Sequence, residues 1–463
     1  MADPAGLVII GGSDAGISAA LRARECDRAI AISVVVADRF PNYSICGIPY
    51  FVSGEVAAAD ALAHRTTADI EAQGIRLLLE HRAMKLNPAQ HQIALRRRDG
   101  AAVMLPYDKL VLGTGAASIR PPLPGLDLPG VFPLRWIGDT LALDDFVRSR
   151  EPHGAPQRAL IIGGGYIGME MSEALTQRGL RVTVVEAMPS VLTTVDTDLG
   201  AQVGQTLRRH GVEVLTGTRI EQIDTDGDAL RVHGSGGFAR HVDLVLVVIG
   251  ARPETQLGAD AGIETGVKGA FKVSRRMETN LPDVYAAGDC VETWHRITAR
   301  HTYLPLGTTS HKQGRIAGEN AVGGNRAFQG SVGTQSVRLF DRVVARTGLH
   351  DRDARAANIE PFSVDSTHWD HKVYYPGAKK MLIRITGERG SGRLLGAQLI
   401  GHYGSEVSKR VDVFAAALYH GMTVEELSDL DLSYTPPLGS PWDPVQMAAQ
   451  AWVRRWSQNR GTA

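Results

Sequence analysis

Residues 7–40 read LVIIGGSDAGISAALRARECDRAIAISVVVADRF, and residues 159–190 read ALIIGGGYIGMEMSEALTQRGLRVTVVEAMPS. Each stretch opens with a short apolar run and breaks at a Gly-rich turn. Each continues through an Ala/Leu-rich segment of helical spacing and closes on a Val-rich run ending in an acid. A helix crossing between two apolar strands is a βαβ unit, and its strands lie parallel in one sheet. The same unit occurs twice in one chain.

The first turn, Gly11-Gly12-Ser13-Asp14-Ala15-Gly16, fits G-x-G-x-x-G except that Ser13 stands at the middle glycine. The first Gly makes the tight turn, and the last lets helix and strand pack closely. The helix N-terminus then presents N–H groups and a positive dipole end to a pyrophosphate. Asp38, followed by Arg39, lies 22 residues past Gly16, where a carboxylate can take ribose hydroxyls. The second turn, Gly163-Gly164-Gly165-Tyr166-Ile167-Gly168, fits fully, and its acid, Glu186, lies 18 residues past Gly168. A carboxylate there repels a 2′-phosphate, so NADH is expected over NADPH, with NADPH possible. Glu170, on the same helix, either orders a nicotinamide or is a helix-face carboxylate. A single fingerprint also arises for packing alone; two, each with its acid, point to two dinucleotides.

The rest of the composition agrees. Lys+Arg and Asp+Glu are 50 each in 463 residues, a balance that argues against nucleic-acid binding. Gly numbers 51, above the usual ~7%. The length allows about three domains. Cys26, Cys46 and Cys290 are too few and too scattered for a disulfide framework, and they fit a reducing compartment. Leu7–Gly12 is too short to span a bilayer and no Lys or Arg precedes it. The expectation is a cytoplasmic protein with no membrane contact and no metal site.

Breaks divide the chain. Arg120–Gly130 (RPPLPGLDLPG) is Pro-rich, Glu151–Arg158 (EPHGAPQR) is a second break, and Gly323–Gly330 a third. Turn signals at Asp226-Gly227 and 234–237 separate alternating strands, and Val242–Ile249 reads as another buried strand. From about residue 331 onward the chain reads as a separate α/β domain, with strands near Lys380–Ile385 and Leu394–Ile400 and a helix over Ser405–His420. The tail, Ala451–Arg460, finds no explanation in the pattern.

Thr279–Asp289 (TNLPDVYAAGD) is a strand ending in Gly288-Asp289, which brings an acid to the carboxyl edge of a sheet. With the two Gly-rich turns, this element makes the whole chain resemble the pyridine nucleotide–disulfide oxidoreductases, α/β flavoproteins with two Rossmann-like dinucleotide-binding domains and a C-terminal α/β dimerisation domain. The resemblance implies a discontinuous FAD domain over 1–150 and 251–325, an NAD(P)H domain over 151–250 and a dimerisation domain over 331–463. It places FAD on the first turn, with Asp289 on its ribityl chain, and the nicotinamide dinucleotide on the second. Gly113-Thr114-Gly115 and Gly250-Ala251-Arg252-Pro253 match the two crossover strands between those domains.

Cys46 sits in NYSICGIPYFVSGE. Dithiol members of the family carry C-x-x-x-x-C here, but the second position holds Phe51. The resemblance is therefore to the single-cysteine subgroup of coenzyme A disulfide reductases and NADH oxidases, in which the sulfur cycles through a mixed disulfide or a sulfenic acid. A helix near Pro49–Gly54 is expected to stabilise the Cys46 thiolate. Cys26 and Cys290 read as structural.

By the same resemblance, Tyr434, in Tyr434-Thr435-Pro436-Pro437, serves Cys46 of the other subunit of a homodimer. Tyr375 matches a second active-site tyrosine, with Tyr374 nearly as good. Each also reads as a core aromatic. Asn42, Ser44 and Arg22, with Arg24, are candidates for holding substrate. Two features depart from the coenzyme A group: Ile45 precedes the cysteine where Asn is usual, and Asp14 stands where NADH peroxidases carry His. Three functions follow as alternatives. They are reduction of a small disulfide or persulfide, reduction of O2 or a quinone through a Cys46 sulfenic acid, and non-catalytic redox sensing.

Overall fold

The computed structural model describes residues 6–148 and 157–460. The break read at Glu151–Arg158 lies outside these except for its last two residues.

Both duplicated stretches form the βαβ units their patterns demand. In the first, strand Leu7–Ile10 leads through the turn into helix Asp14–Cys26 and on to strand Ile32–Val35. Their sheet is five parallel strands in the order Val284–Ala286, Lys109–Leu112, Leu7–Ile10, Ile32–Val35, Ile75–Leu78. Such a sheet is covered on both faces, which is why LVII is buried throughout. The strand Val284–Ala286 belongs to the Gly-Asp element, so the chain returns to its first sheet after leaving the second.

The second sheet is also five parallel strands, ordered Glu213–Thr216, Arg181–Glu186, Arg158–Ile162, Leu244–Val247, Val131–Pro133. Helix Tyr166–Gln177 is its crossover. The apolar run read as Val242–Ile249 is regular strand only over Leu244–Val247, because Val242 ends a separate antiparallel meander. Asp226-Gly227 turns the hairpin in that meander, with Gly227 at φ 61°.

The third sheet is antiparallel: Gln335–Leu339, Arg342–Gly348, Leu394–His402, Lys380–Glu388, Pro361–Trp369. Helices Val407–His420 and Pro444–Arg460 pack on it. The first starts two residues later than the sequence suggests, because Glu406 takes φ 53° and Ser405 bonds Asp370. The second accounts for the Trp-bearing tail. Trp452 is fully buried and donates to the Phe362 carbonyl at 2.7 Å, while Trp456 donates to the Arg389 carbonyl at 2.7 Å. Gly387 makes room for it: a Cβ there would lie 2.4 Å from the Trp452 ring. Among the described residues no helix is long and apolar enough to cross a membrane.

One helix pair controls how the first sheet meets the Gly-Asp strand. Helix Gly307–Ala321 lies against helix Asp14–Cys26 with backbones nearly touching. A Cβ on Gly314 would stand 2.2 Å from the Ala15 carbonyl oxygen, and one on Gly318 2.1 Å from that of Ala19. Small residues at this spacing set the helix separation.

Candidate active site

The two Gly-rich turns repeat one geometry. Gly11 and Gly163 take φ 114° and 112°, which a side chain rarely adopts. Gly16 and Gly168 lie on the first turns of their helices, where a Cβ would fall 1.9 Å from the Gly11 carbonyl oxygen and 2.0 Å from that of Gly163. Both helices begin with no side-chain cap, at Ser13 and at Gly165. By contrast, Thr66 and Thr423 close their helices with full capping boxes. Helix N-terminal N–H groups left open at a Gly-rich turn suit an anion.

The acids lie where the spacing places them, at or just past the second strand of each unit. Glu186 spreads its two oxygens over the Gly164 N–H at 2.6 Å and the Met188 N–H at 2.7 Å. Asp38 accepts from the Phe40 N–H at 2.7 Å, and burial lifts its pKa above the ordinary carboxylate value. Arg39 stacks on Phe40 at 4.8 Å. Asn42 is buried beside the first turn: its N–H donates to the Gly12 carbonyl at 2.6 Å, and its side-chain oxygen has no partner. Ser44 bonds through its backbone to Leu62.

Asp289 reaches the same region from the end of its strand. It is ion-paired with Arg135 at 3.0 Å and accepts from the Ser310 hydroxyl at 3.0 Å. The Gly288 N–H donates to the Gln313 side chain at 3.1 Å, and Gly288 takes φ 89°. The segments at Gly113–Gly115 and Gly250–Pro253 do pair, as Ala116–Ser118 against Ala251–Pro253. Thr114 donates to the Glu254 carbonyl at 2.5 Å, and Gly115 and Gly250 have positive φ.

Cys46 lies in a single 3-10 turn, Ile45–Gly47, that runs into helix Ile48–Ser53. Its surface is open to solvent, although protein crowds the sulfur. That burial pushes the thiol pKa up, and the charges of Glu170, Asp14 and Asp289 push it further, with Arg135 opposing. The expectation of a thiolate stabilised by the helix is therefore corrected. A six-residue helix offers a weak dipole, and burial first, then the charges of three carboxylates, favour the thiol. Cys290 is buried, with its sulfur on the Leu112 and Ala287 carbonyls, and Cys26 ends the first helix far from the turn. Glu170 and Tyr166 share the Cys46 surroundings. Burial and the neighbouring Glu173 raise the Glu170 carboxyl to about 7, and burial drives the Tyr166 phenol well above its usual value.

Comparison with known proteins decides what this arrangement belongs to. The family model described as pyridine nucleotide-disulphide oxidoreductase matches residues 5–314, and its dimerisation domain matches residues 334–444. The chain belongs to the pyridine nucleotide-disulphide oxidoreductase family. It is 31% identical to an NADH oxidase of Methanocaldococcus jannaschii, over 97% of this chain and 99% of that one. It is 28% identical to the coenzyme A disulfide reductase of Staphylococcus haemolyticus, over 95% and 98%. Among solved structures, the NAD-dependent persulfide reductase from A. fulgidus superposes with a TM-score of 0.93 at 35% identity, covering 98% of this chain and 84% of that one. The chain is thus a flavoprotein oxidoreductase that uses FAD and a pyridine nucleotide. The uncapped helix N-terminus at Ser13, the unpartnered Asn42 oxygen and the Asp289 carboxylate are donors and acceptors of the kind FAD requires.

Of the residues expected to hold substrate, the two arginines already have partners. The Arg22 guanidinium is engaged by Glu25 and Glu319 at 2.8 and 2.7 Å, and Arg24 donates to the carbonyls of Gln73, Gly74 and Arg28. Tyr434 and Tyr375 are both about two-fifths exposed, at 42% and 43%, not core aromatics. Tyr374 lies beside Tyr434, whose neighbouring hydroxyl pushes its phenol pKa up, whereas Tyr375 packs edge-on to His371 at 5.9 Å. Among the described residues, no hydrogen bond or ring contact joins these tyrosines to the Cys46 turn. Sequence reading passed over Arg135, Arg338 and His311, whose ring lies 2.9 Å from the Ser18 hydroxyl and 3.4 Å from Asp14. None lies in a motif.

Proposed function

We propose that the protein is an NADH-dependent reductase of small disulfides or persulfides, coenzyme A disulfide among them, working through Cys46 alone. One observation supports this above all. Cys46 is the cysteine open to solvent among Asp14, Asp289, Arg135 and Glu170, and no second cysteine accompanies it. The names of the coenzyme A disulfide and persulfide reductases among its relatives support the same substrate class.

In this reading, residues 1–150 and 251–325 form the FAD domain, 151–250 the NADH domain and 331–463 the dimerisation domain. Gly11, Gly12, Ser13, Asp14, Ala15 and Gly16 hold the FAD pyrophosphate, Asp38 and Arg39 its adenosine, and Thr114, Gly115, Gly288 and Asp289 the rest. Gly163, Gly165, Tyr166, Ile167, Gly168, Glu170, Glu186 and Gly250 serve NADH. Bound FAD supplies two-electron transfer between the nicotinamide and sulfur. The protein's own part is sulfur exchange. The Cys46 thiolate attacks one sulfur of the disulfide; that S–S bond breaks and a new one forms to Cys46. The other half leaves as a thiolate, and the partner subunit's Tyr434 donates its proton. Two electrons from NADH then cleave the mixed disulfide, releasing the second half of the substrate as a thiolate that takes a proton and restoring the Cys46 thiolate. Asn42 and Ser44 line the approach.

The relative named NADH oxidase supports a second reading, in which O2 is the acceptor and Cys46 cycles through sulfenic acid. Mass spectrometry of untreated protein separates them: an adduct of coenzyme A mass on Cys46 supports the first, a single added oxygen the second. In anaerobic assays with coenzyme A disulfide, Cys46→Ser is expected to abolish NADH consumption. Full activity in that variant refutes the thiol mechanism.

A further inference from the structure

No motif marks Arg338. It lies in Gln335–Leu339, the edge strand of the C-terminal sheet, yet its guanidinium reaches both helices that frame Cys46. It is ion-paired with Glu55, just past helix Ile48–Ser53, and with Glu173 on helix Tyr166–Gln177 at 3.1 Å. It stacks on Tyr50, from helix Ile48–Ser53, at 5.2 Å and on Tyr403, just past strand Leu394–His402, at 5.6 Å. The second Glu173 oxygen accepts the Phe340 N–H at 2.7 Å, so the strand holds both ends of that carboxylate. Only 21% of the Arg338 side chain is exposed.

We propose that Arg338 is a positioning residue for the redox site, locking the Glu170–Glu173 face against the Cys46 helix and governing proton traffic at Cys46 through Glu170. The proposal rests on the reading of Cys46 as the redox thiol. Glu170 lies one turn before Glu173 on the helix, so a charge held at Glu173 is felt there directly. Glu173 and burial favour its protonated form, and the Arg338 cation opposes them. Glu170 in turn acts on Tyr50, Tyr166 and Cys46; Cys46 also faces Asp14, Asp289 and Arg135. A negative charge on Glu170 therefore disfavours one on Cys46, and the two ionise in turn rather than together. When exchange leaves Cys46 anionic, Glu170 takes a proton from solvent; when the mixed disulfide forms, it gives that proton back. Arg338 keeps this exchange within the neutral range. Without it, Glu55 and Glu173 are uncompensated and Glu170 gives up its proton only at higher pH.

Infrared titration of the purified flavoprotein between about pH 5 and 9 tests this, using the protonated-carboxyl stretch that disappears in Glu170→Gln as the probe of Glu170. The wild-type midpoint is expected at about 7. Arg338→Gln should raise it by about one unit or more, the effect of losing a nearby opposite charge, and Arg338→Lys should restore most of the difference. Thermal unfolding is followed alongside. A lowered Tm in Arg338→Gln with an unmoved midpoint means Arg338 only holds the fold, and overturns the proposal. Should that variant not fold, Glu55→Gln serves: it frees the Arg338 charge toward Glu173 and should move the midpoint down, and no movement again overturns the proposal. The midpoint reports whether or not Cys46 is the redox thiol, so its failure is distinct from an unaffected Cys46→Ser.

Discussion

Two glycines in the second Gly-rich turn have different tasks, and substituting each in turn separates folding from nucleotide binding. A Cβ on Gly168 would lie 2.0 Å from the Gly163 carbonyl oxygen and 3.1 Å from its carbon. Both are backbone atoms of the turn itself, so no flexible side chain can yield. The helix has to move away by about 1 Å or more, and overpacking of this kind costs about 1–3 kcal/mol. Gly165 is the opposite case. A Cβ there meets nothing within 4 Å, and φ of −78° is ordinary for any residue. Its open space lies in front of the uncapped helix N-terminus, where a pyrophosphate would approach the backbone. Ser13 shows that the equivalent position in the first turn accepts a small side chain, so Val is the informative substitution. Gly165→Val is expected to unfold like wild type but to bind NADH about 10–100-fold more weakly, the loss of one or two charge-assisted hydrogen bonds. Gly168→Ala is expected to lower Tm first. Calorimetric titration with NADH, paired with thermal unfolding, reads both quantities. Wild-type NADH affinity in Gly165→Val would refute the assignment of this turn to the nucleotide.

Three further substitutions probe the site. Glu186→Gln keeps an acceptor for the Gly164 N–H but removes the charge, so the NADPH-to-NADH ratio of kcat/KM should rise about tenfold, the worth of one like-charge contact; steady-state assays with both nucleotides check it. The Glu170 charge is the first cause after burial of the high Cys46 pKa, so Glu170→Gln should move the onset of Cys46 alkylation by iodoacetamide to lower pH. An onset that stays put or rises contradicts that. Tyr434→Phe should slow disulfide turnover about 100-fold while stopped-flow reduction of the flavin by NADH keeps its wild-type rate, because only proton delivery to the leaving thiolate is lost.

The fold was legible because its decisive signals are local. A strand, a turn and a helix in sequence determine the βαβ unit, and the Gly288-Asp289 ending announces a strand edge whatever it pairs with. The same locality found Cys46. What stayed hidden depends on contacts between distant segments. Trp452 and Trp456 looked unexplained because their hydrogen-bond partners, the carbonyls of Phe362 and Arg389, lie 90 and 67 residues away. Arg135 meets Asp289 across 154 residues, and Arg338 meets Glu55 across 283. The Cys46 environment illustrates the limit best. Its neighbouring helix was visible in the sequence and suggested a stabilised thiolate. Burial reverses this first, and the carboxylates that add to it come from the first turn, the helix of the second unit and the Gly-Asp strand, which only the fold brings together.

That reversal bears on why a second subunit matters. In the proposed cycle Glu170 trades its proton with solvent as Cys46 changes state, and the departing thiolate takes its proton from a separate donor. The tyrosines that suit the task stand on the C-terminal domain, exposed but not loose. Arg410 is buried and donates to Asp443 at 3.1 Å, to the Asp370 carbonyl at 2.8 Å and to the Leu438 carbonyl at 3.3 Å. Asp370 is further held by His371 at 2.9 Å and by Ser405 at 2.5 Å. One cation thus ties the 370–379 loop, which carries Tyr374 and Tyr375, to the 434–443 segment, which carries Tyr434. Tyr374, Leu438 and Trp442 remain 70%, 69% and 53% exposed on this rigid support. Side chains whose backbone is already fixed lose little further freedom on docking, so an exposed aromatic face of this kind is built for association. It lies in the part of the chain that matches the family's dimerisation domain. In the homodimer proposed above, this face is expected to be buried and the Tyr434 hydroxyl to serve the other subunit, as the proposed chemistry requires.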